Sequence, residues 1–410
     1  MFKVTESNPN EADRRGTDAT ARVAGILHIA GWYPGPWGEI EGNFIREHIR
    51  LFLQEAPGRA IVVQVRSAPE ESLKLRLLEL DDGIRGHYLL TRLRPGRVTE
   101  ALGTLLLLFA LLRARAWRFD ALHFHIAYPL LIHVRRWHWL FRKPIIISEH
   151  WSAYHYNFNL PSSSGALAAL RRPFHRGFPV LAVSRALLED IRRFAQRSDF
   201  PGYVLPNLVP LHGASEPDNS VPVLFCVTRW VEIKDPMPML AGLAEAVANG
   251  ARFELVIGGF GDLIDPMKAF VGNSNLADRT RFLGVMTKAE IAAQLRTTDG
   301  YVFSSRYETF SVACAEALGA GVPLIGPQIP AIAEYAGESD WQMVESRSAG
   351  AWACALAEFL GKISAGEYNR AAIASRAAAR FSEDSIRREY RRVLRELLPD
   401  SAQQSGGGDK

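Results

Sequence analysis

Two carboxylates, Glu308 and Glu316, stand eight residues apart in the segment 304–323, SSRYETFSVACAEALGAGVP. An ionised carboxylate only accepts hydrogen bonds, so it suits hydroxyl-rich ligands. The pattern between the two predicts a helix over Ser311–Gly319, with a small hydroxyl residue near Thr309 to Ser311 to cap it. A helix start offers unpaired N–H groups and the positive end of a dipole, which suits a phosphate or diphosphate. Eight residues of helix rise roughly 12 Å. The two carboxylates therefore flank an anion site, and a nucleotide-sugar has that layout: sugar, diphosphate, ribose. Taken alone, the spacing also fits two solvated glutamates.

Two cations strengthen the diphosphate reading. The strand Val223–Val227 runs into TRWVEIKDP, which places Arg229 and Lys234 just past a strand of the same domain. Arg grips an anion as a fork and Lys as a point charge. Other glycine-rich spots exclude other nucleotide sites. No P-loop motif occurs. The turn Gly258-Gly259-Phe260-Gly261-Asp262 lacks the third glycine of a dinucleotide fingerprint, which argues against a nicotinamide or flavin. It reads as a tight strand-to-helix turn or as a place where backbone approaches a ligand. A second loop, GWYPGPWG followed by Glu41-Gly42-Asn43-Phe44, comes after the first strand. Gly42 and Asn43 there precede a helix, so their backbone amides could face an anion.

The elements that position these residues alternate. Strands are expected at Val23–Ile29, Ala60–Val65, His87–Leu93, Ala121–Ile126, Pro144–Ser148 and Val180–Val183. Helices are expected at Asn43–Glu55, Thr99–Arg115 and Arg185–Phe194. The Pro-, Gly- and Asn-rich stretch Pro206–Pro222 marks a linker. Strands resume at Val223–Val227, Phe253–Ile257, Thr280–Leu283, Gly300–Phe303 and Pro323–Ile325, with helices at Pro236–Asn249, Lys288–Arg296 and Gly350–Lys362 as well as Ser311–Gly319. The expectation is an α/β fold: two Rossmann-like parallel-sheet domains facing across a cleft, residues 21–212 and 213–380. Residues 1–20 and 400–410 read as disordered tails.

Composition narrows the class. Of 410 residues, 48% are hydrophobic and 22% charged, which excludes disorder, collagen and coiled coil as the main state. Three cysteines without a Cys-x-x-Cys pair exclude a disulfide framework and fit a reducing, cytoplasmic setting. The longest apolar run, Ala101–Leu112, is shorter than the ~20 residues of a bilayer span. Residues 1–210 hold 28 Lys/Arg against 19 Asp/Glu; residues 211–410 hold 20 against 25. The basic half suits an anionic partner.

In combination these motifs resemble family 4 of the retaining glycosyltransferases, which have the GT-B fold. Glu308 and Glu316 match the family's Glu-x7-Glu motif, and Arg229 and Lys234 its cation pair. Val180-Leu181-Ala182-Val183-Ser184, Leu205-Pro206-Asn207 and Phe282-Leu283-Gly284 match further segments. The final helix, over 381–399, resembles one that crosses back to the first domain. Coverage runs from about Gly25 to Leu398. The resemblance implies that Arg229 and Lys234 hold the donor diphosphate. Glu308 would bind sugar hydroxyls, Phe310, Ser311 and Thr309 would offer nearby groups, and Glu316 would bind the ribose. Gly259 and Leu283 join the donor-binding set. His150, in Ser148-Glu149-His150-Trp151, resembles a cleft histidine near the sugar or acceptor. Two departures stand out: Ser311 replaces the family's usual glycine, and the turn near Gly259 lacks the Gly-x-Gly-Pro form.

His123 and His125 alternate on one strand and so share a face, but no third metal ligand is evident and no Asp-x-Asp occurs. No metal and no cofactor is therefore expected, the nucleoside-diphosphate sugar being a co-substrate. The expected acceptor is a hydroxyl of a glycan, a lipid-linked or a small molecule, in cell-surface polysaccharide or glycoconjugate biosynthesis. The segment RRWHWLFRK, 135–143, suits either an anionic membrane at the inner face or a solvated helix end with its tryptophans turned inward. A nucleotide-sugar epimerase of the same fold and a non-catalytic nucleotide- or glycan-binding protein are the alternatives. No nucleic-acid-binding signature is visible.

Overall fold

A computed structural model describes residues 25–398 apart from 37–41, 69, 71–72, 81, 95 and 162. The expected tails 1–20 and 400–410, and loop residues Trp37, Gly38 and Glu41, lie outside the described residues. The chain forms two compact units. The first holds residues up to Pro206 and from Arg387 onward; the second is Asn207–Ile386.

The first unit has strands β1 (Ile26–Ala30), β2 (Gly58–Ser67), β3 (Lys74–Glu79), β4 (Arg85–Thr91), β5 (Ala121–His125), β6 (Ile145–Glu149), β7 (Val180–Ala182) and β8 (Gly202–Val204). Their order in the sheet is β3-β4-β2-β1-β5-β6-β7-β8. Every pairing is parallel except β3–β4. β1, β5 and β6 are buried along their whole length, as strands covered on both faces must be. β3 escapes the sequence reading because it is a largely exposed edge strand of mixed Lys, Arg and Leu. β8 has only three residues. The helices are α1 (Asn43–Glu55), α2 (Arg97–Arg113), α3 (Val134–Phe141), α4 (Gly165–Arg171) and α5 (Arg185–Ala195).

The second unit is a six-stranded, all-parallel sheet in the order β11-β10-β9-β12-β13-β14. Its strands are β9 (Val223–Arg229), β10 (Glu254–Phe260), β11 (Thr280–Gly284), β12 (Gly300–Val302), β13 (Leu324–Pro327) and β14 (Trp341–Val344). Its helices are α6 (Pro236–Ala248), α7 (Ile264–Gly272), α8 (Lys288–Arg296), α9 (Val312–Gly319), α10 (Pro330–Ala333), α11 (Ala349–Ser364) and α12 (Arg370–Phe381). A core of Trp230, Trp352, Phe253 and Phe359 fills one side of the sheet.

The last helix, α13 (Glu383–Leu397), begins in the second unit and belongs to the first from Arg387. Arg387, Tyr390 and Arg391 share one helical face. Arg387 Nη1 donates to Glu55 Oε1 at 2.6 Å, Arg391 pairs with the same carboxylate, and Tyr390 stacks on Phe52 with ring centroids 3.8 Å apart. The boundary between the units lies at Pro206/Asn207 rather than at 212/213. The reason is local: a Cβ on Gly319 would stand 2.8 Å from Leu211 Cδ2, and His212 bonds Glu316, so the segment after Pro206 is held by the second unit.

The tryptophans of 135–143 divide. Trp137 is buried and its Nε1 donates to Leu130 O, whereas Trp139 is 73% exposed beside exposed Arg135 and Arg136.

Candidate active site

β9 ends at Arg229 and leads into a single helical turn, Glu232–Lys234. Asp235 then takes a left-handed conformation (φ 45°), and Pro236 opens α6 with the fixed φ that suits a first helical position. β12 lies beside β9, so the loop after β12 meets this turn. There Lys234 Nζ donates to Glu308 Oε1 at 2.6 Å, and Ser305 Oγ donates to the same oxygen at 2.6 Å. Both charged side chains are less than a fifth exposed.

A second tier of bonds holds the two loops together. Ser304 Oγ donates to Lys234 O (2.6 Å), and Arg306 N donates to Ile233 O (2.8 Å). Arg347 Nη1 reaches Asp235 Oδ2 (2.9 Å) and Ser304 O (3.0 Å), while its Nη2 reaches Ser305 O (3.0 Å). Arg306 Nη2 takes Asp235 Oδ1 at 2.9 Å. Burial acts to raise the Asp235 carboxyl, but the two guanidiniums outweigh it and hold it below the usual carboxylate range. Asp235 and Arg347 carry no motif signal, and Arg347 lies about forty residues beyond the loop it braces.

The start of α9 differs from the expected cap. Ser311 occupies the N-cap position with φ 65° and ψ 83°, and its side chain caps nothing. A glycine adopts that conformation without a Cβ clash, which is the physical meaning of the departure at this position. Tyr335 OH donates to both Phe310 O (2.8 Å) and Ser311 O (3.1 Å), clamping the turn. The Phe310 ring is in the core, 5.4 Å from both Tyr335 and Phe381, so only its backbone is placed to meet a ligand. Among the described residues, the amides of Phe310, Ser311, Val312 and Ala313 donate to no protein acceptor. Thr309 is half-buried beside them. An open pocket of about 120 Å³ is lined by Lys234, Ser304, Ser305, Glu308, Ser311 and Ala313, with Thr228 and Tyr301 among its other walls.

Arg229 is not drawn in with Lys234. It is the exposed last residue of β9, outside the pocket lining, and forms no ion pair among the described residues. Glu316 is buried on α9 and accepts from His212 Nε2 at 3.3 Å. Burial raises its carboxyl above the usual range, while His212 and Lys288 oppose that shift. β10 continues through Gly258 and Gly259 to Phe260, so these glycines end a strand rather than form the turn. Gly259 has φ +105°, and a Cβ there would stand 1.8 Å from Thr228 O. Leu283, on the edge strand β11, is 41% exposed.

The remaining predicted residues gather in the first unit. Gly42 caps α1 with φ 75°, where a Cβ would stand 2.8 Å from Tyr33 N. Asn43 opens the helix. His150 follows β6, 7% exposed, its ring 4.7 Å from Phe44 and 5.2 Å from His48. Beside it, Glu149 is fully buried; its Oε1 accepts from Tyr154 OH (2.5 Å) and Ala127 N (2.7 Å). Burial pushes the Glu149 carboxyl up to about 7, against the pull of those bonds.

The sequence and the fold are similar to those of known proteins. Residues 47–212 match the family model described as Glycosyltransferase Family 4, and residues 221–362 the model described as Glycosyl transferases group 1. A putative glycosyltransferase, EpsF, of Bacillus subtilis is 34% identical over 99 residues, which is 24% of this chain and a quarter of that protein's length. A GDP-mannose-dependent alpha-mannosyltransferase of Mycobacterium tuberculosis is 28% identical over 298 residues, covering 69% of this chain and 73% of that protein. The fold of Anabaena HepE, solved in complex with UDP and glucose, superposes with a TM-score of 0.68 at 14% identity over 91% of this chain and all of that one. The two family models together take in about three quarters of the residues, one for each unit, and the chain thus belongs to the family 4 glycosyltransferases of GT-B fold.

Proposed function

We propose that the protein transfers a hexose-type sugar from a nucleoside-diphosphate donor to a hydroxyl of a glycan, lipid-linked or small-molecule acceptor, with retention and without a metal. The observation that carries this reading is the joining of Lys234, Ser305 and Glu308 beside the unbonded amides at the start of α9. The amides and Lys234 receive the diphosphate, with Arg229 arriving from the end of β9. Glu308 accepts from sugar hydroxyls, and its second oxygen is the one not held by Lys234 and Ser305. Glu316 accepts from the ribose, and Gly259 on β10 and Leu283 on β11 belong to the proposed donor-binding set. Gly42, Asn43 and His150 serve the acceptor side.

As the bond from the anomeric carbon to the β-phosphate oxygen breaks, negative charge grows on the leaving diphosphate. Fixed dipoles and cations aimed at that charge lower the barrier most where they need no rearrangement. The acceptor oxygen bonds to the anomeric carbon on the same face, and its proton passes to the departing phosphate. The cations and amides supply the charge compensation, and the chain has no Asp-x-Asp for a diphosphate-bound metal. The HepE complex with UDP-glucose and the name of the mannosyltransferase relative support a nucleotide-sugar donor.

The proposed setting is the cytoplasm, in polysaccharide or glycoconjugate synthesis, with exposed Trp139, Arg135 and Arg136 of α3 resting on the anionic inner face of the membrane. Among the described residues no helix is long and apolar enough to cross a membrane. A thermal-shift panel of nucleoside diphosphates and their sugars tests the donor site, because a ligand that binds only the folded state raises the melting temperature. The best donor is then turned over and the anomeric configuration of the product read by NMR. No shift with any nucleotide, or an inverted product, would overturn the proposal.

A further inference from the structure

We infer that the first unit holds a metal site in its core, formed by His28, His123 and His125 and taking a zinc or copper ion in a structural role. His123 and His125 lie two residues apart on β5 and so share a face. His28 on the neighbouring β1 is in register with His123. The trio therefore comes from two strands separated by about ninety residues of chain. All three side chains are completely buried. One ring nitrogen from each lies within 4.8 Å of the others.

The spacing is that of a ligand set. His28 Nδ1 and His125 Nε2 are 3.2 Å apart. Two nitrogens bound at ~2.0–2.1 Å to a tetrahedral ion stand about 3.3 Å from each other. His123 Nε2 lies 2.8 Å from Ser148 Oγ, a bond of the kind that orients a ligating ring from behind. Phe52 covers the group from α1, its ring 5.5 Å from His123 and 5.9 Å from His125.

The cluster is also under-satisfied. His28 Nε2, His123 Nδ1 and His125 Nδ1 are buried and find no hydrogen-bond partner among the described residues. A dry polar atom without a partner costs about 1–3 kcal/mol; an ion would use one of these bare atoms, His123 Nδ1, while His28 Nδ1 and His125 Nε2 would exchange their mutual hydrogen bond for the ion. Burial favours the neutral ring, which presents one bare lone pair to an ion. All-nitrogen donors select zinc or copper over magnesium and calcium, which demand oxygen. None of the three ligands brings a countercharge, and copper(I), with the smaller charge, fits that feature best. Such an ion would tie β1 to β5 beneath α1. The proposed transfer chemistry sits on the second unit and does not use it.

The test uses the full chain, stripped with a chelator and passed through gel filtration after incubation with zinc, cobalt or copper(I). About one equivalent retained per chain is expected, with a higher melting temperature and, for cobalt, the visible absorption of a tetrahedral site. A His28→Leu/His123→Leu double variant should lose that equivalent and keep its circular dichroism, whereas His175→Ala should retain it. The cobalt spectrum of the unaltered protein decides the matter even where the double variant fails to fold. Less than about a tenth of an equivalent with every metal overturns the proposal, as does retention of a full equivalent by the folded double variant.

Discussion

Replacing Arg347 tests whether the bracing of the donor loop matters to turnover. Arg347 makes three charge-assisted bonds, to Asp235, Ser304 O and Ser305 O. Fully buried, each would contribute about 1.5–3 kcal/mol. The side chain is 38% exposed, so solvent screening reduces that to about 1 kcal/mol each. Arg306 remains on Asp235. Arg347→Ala should therefore cost about 2 kcal/mol, nearly all of it in the order of the loop that carries Ser305 and Glu308. That cost shifts the equilibrium between the placed and the displaced loop by about thirtyfold, the upper bound on the loss of correctly placed molecules, since every 1.4 kcal/mol is tenfold. Steady-state kinetics with the best donor should show kcat/KM down by about ten- to thirtyfold. Arg347→Lys keeps the charge near Asp235 but cannot fork to two carbonyls, so it should fall between the parent and the alanine variant. An alanine variant with the parent's kcat/KM and only a lower melting temperature would refute the reasoning. So would a lysine variant identical to the parent, because charge alone would then suffice.

Ser311→Gly should remove the left-handed strain at the start of α9 and raise stability by about 1 kcal/mol in denaturant melts, with kcat/KM unchanged; a loss of stability would show that the hydroxyl matters more than the backbone. Donor affinity should weaken as pH falls through a value above the ordinary glutamate range, because an ionised Glu316 accepts more strongly from the ribose hydroxyls and burial raises its pKa. Calorimetric titrations across that range check this, and Glu316→Gln should flatten the profile. Glu149 gives the opposite kind of test, on stability. Its carboxyl moves from 4.5 unfolded to about 7 folded, so the folded state binds the proton more tightly. Its contribution is fully present below pH 4.5 and is lost as pH rises through 7, a total of about 3 kcal/mol at ~1.36 kcal/mol per unit. Glu149→Gln should raise the melting temperature at pH 8 and leave it nearly unchanged at pH 4; equal shifts at both would contradict the assignment.

Some of this protein is determined within a few residues of chain. The bounds of α1 and α8 agree with the expected helices, and α8 carries a reciprocal Thr287–Glu290 capping box. β1, β5, β6 and β9 follow from short apolar runs, because a strand in a covered parallel sheet is apolar on both faces. The grouping of Glu308 and Lys234 was likewise legible, since both follow strands of one repeating βα pattern. The largely exposed edge strand β3 and the four-residue β14 gave no comparable periodicity.

What the tertiary structure alone decided is which distant residues meet. Arg347 bracing Asp235, His212 holding Glu316, and His28 completing a trio with His123 and His125 all depend on strand order and register. So does the separation of Arg229 from the pocket that Lys234 lines. Helical and strand periodicities, caps and turns arise from neighbours in the chain, and a sequence displays them directly. Contacts across some seventy to a hundred residues arise only when β9 settles beside β12, and β1 beside β5, a choice made by the packing of the whole sheet.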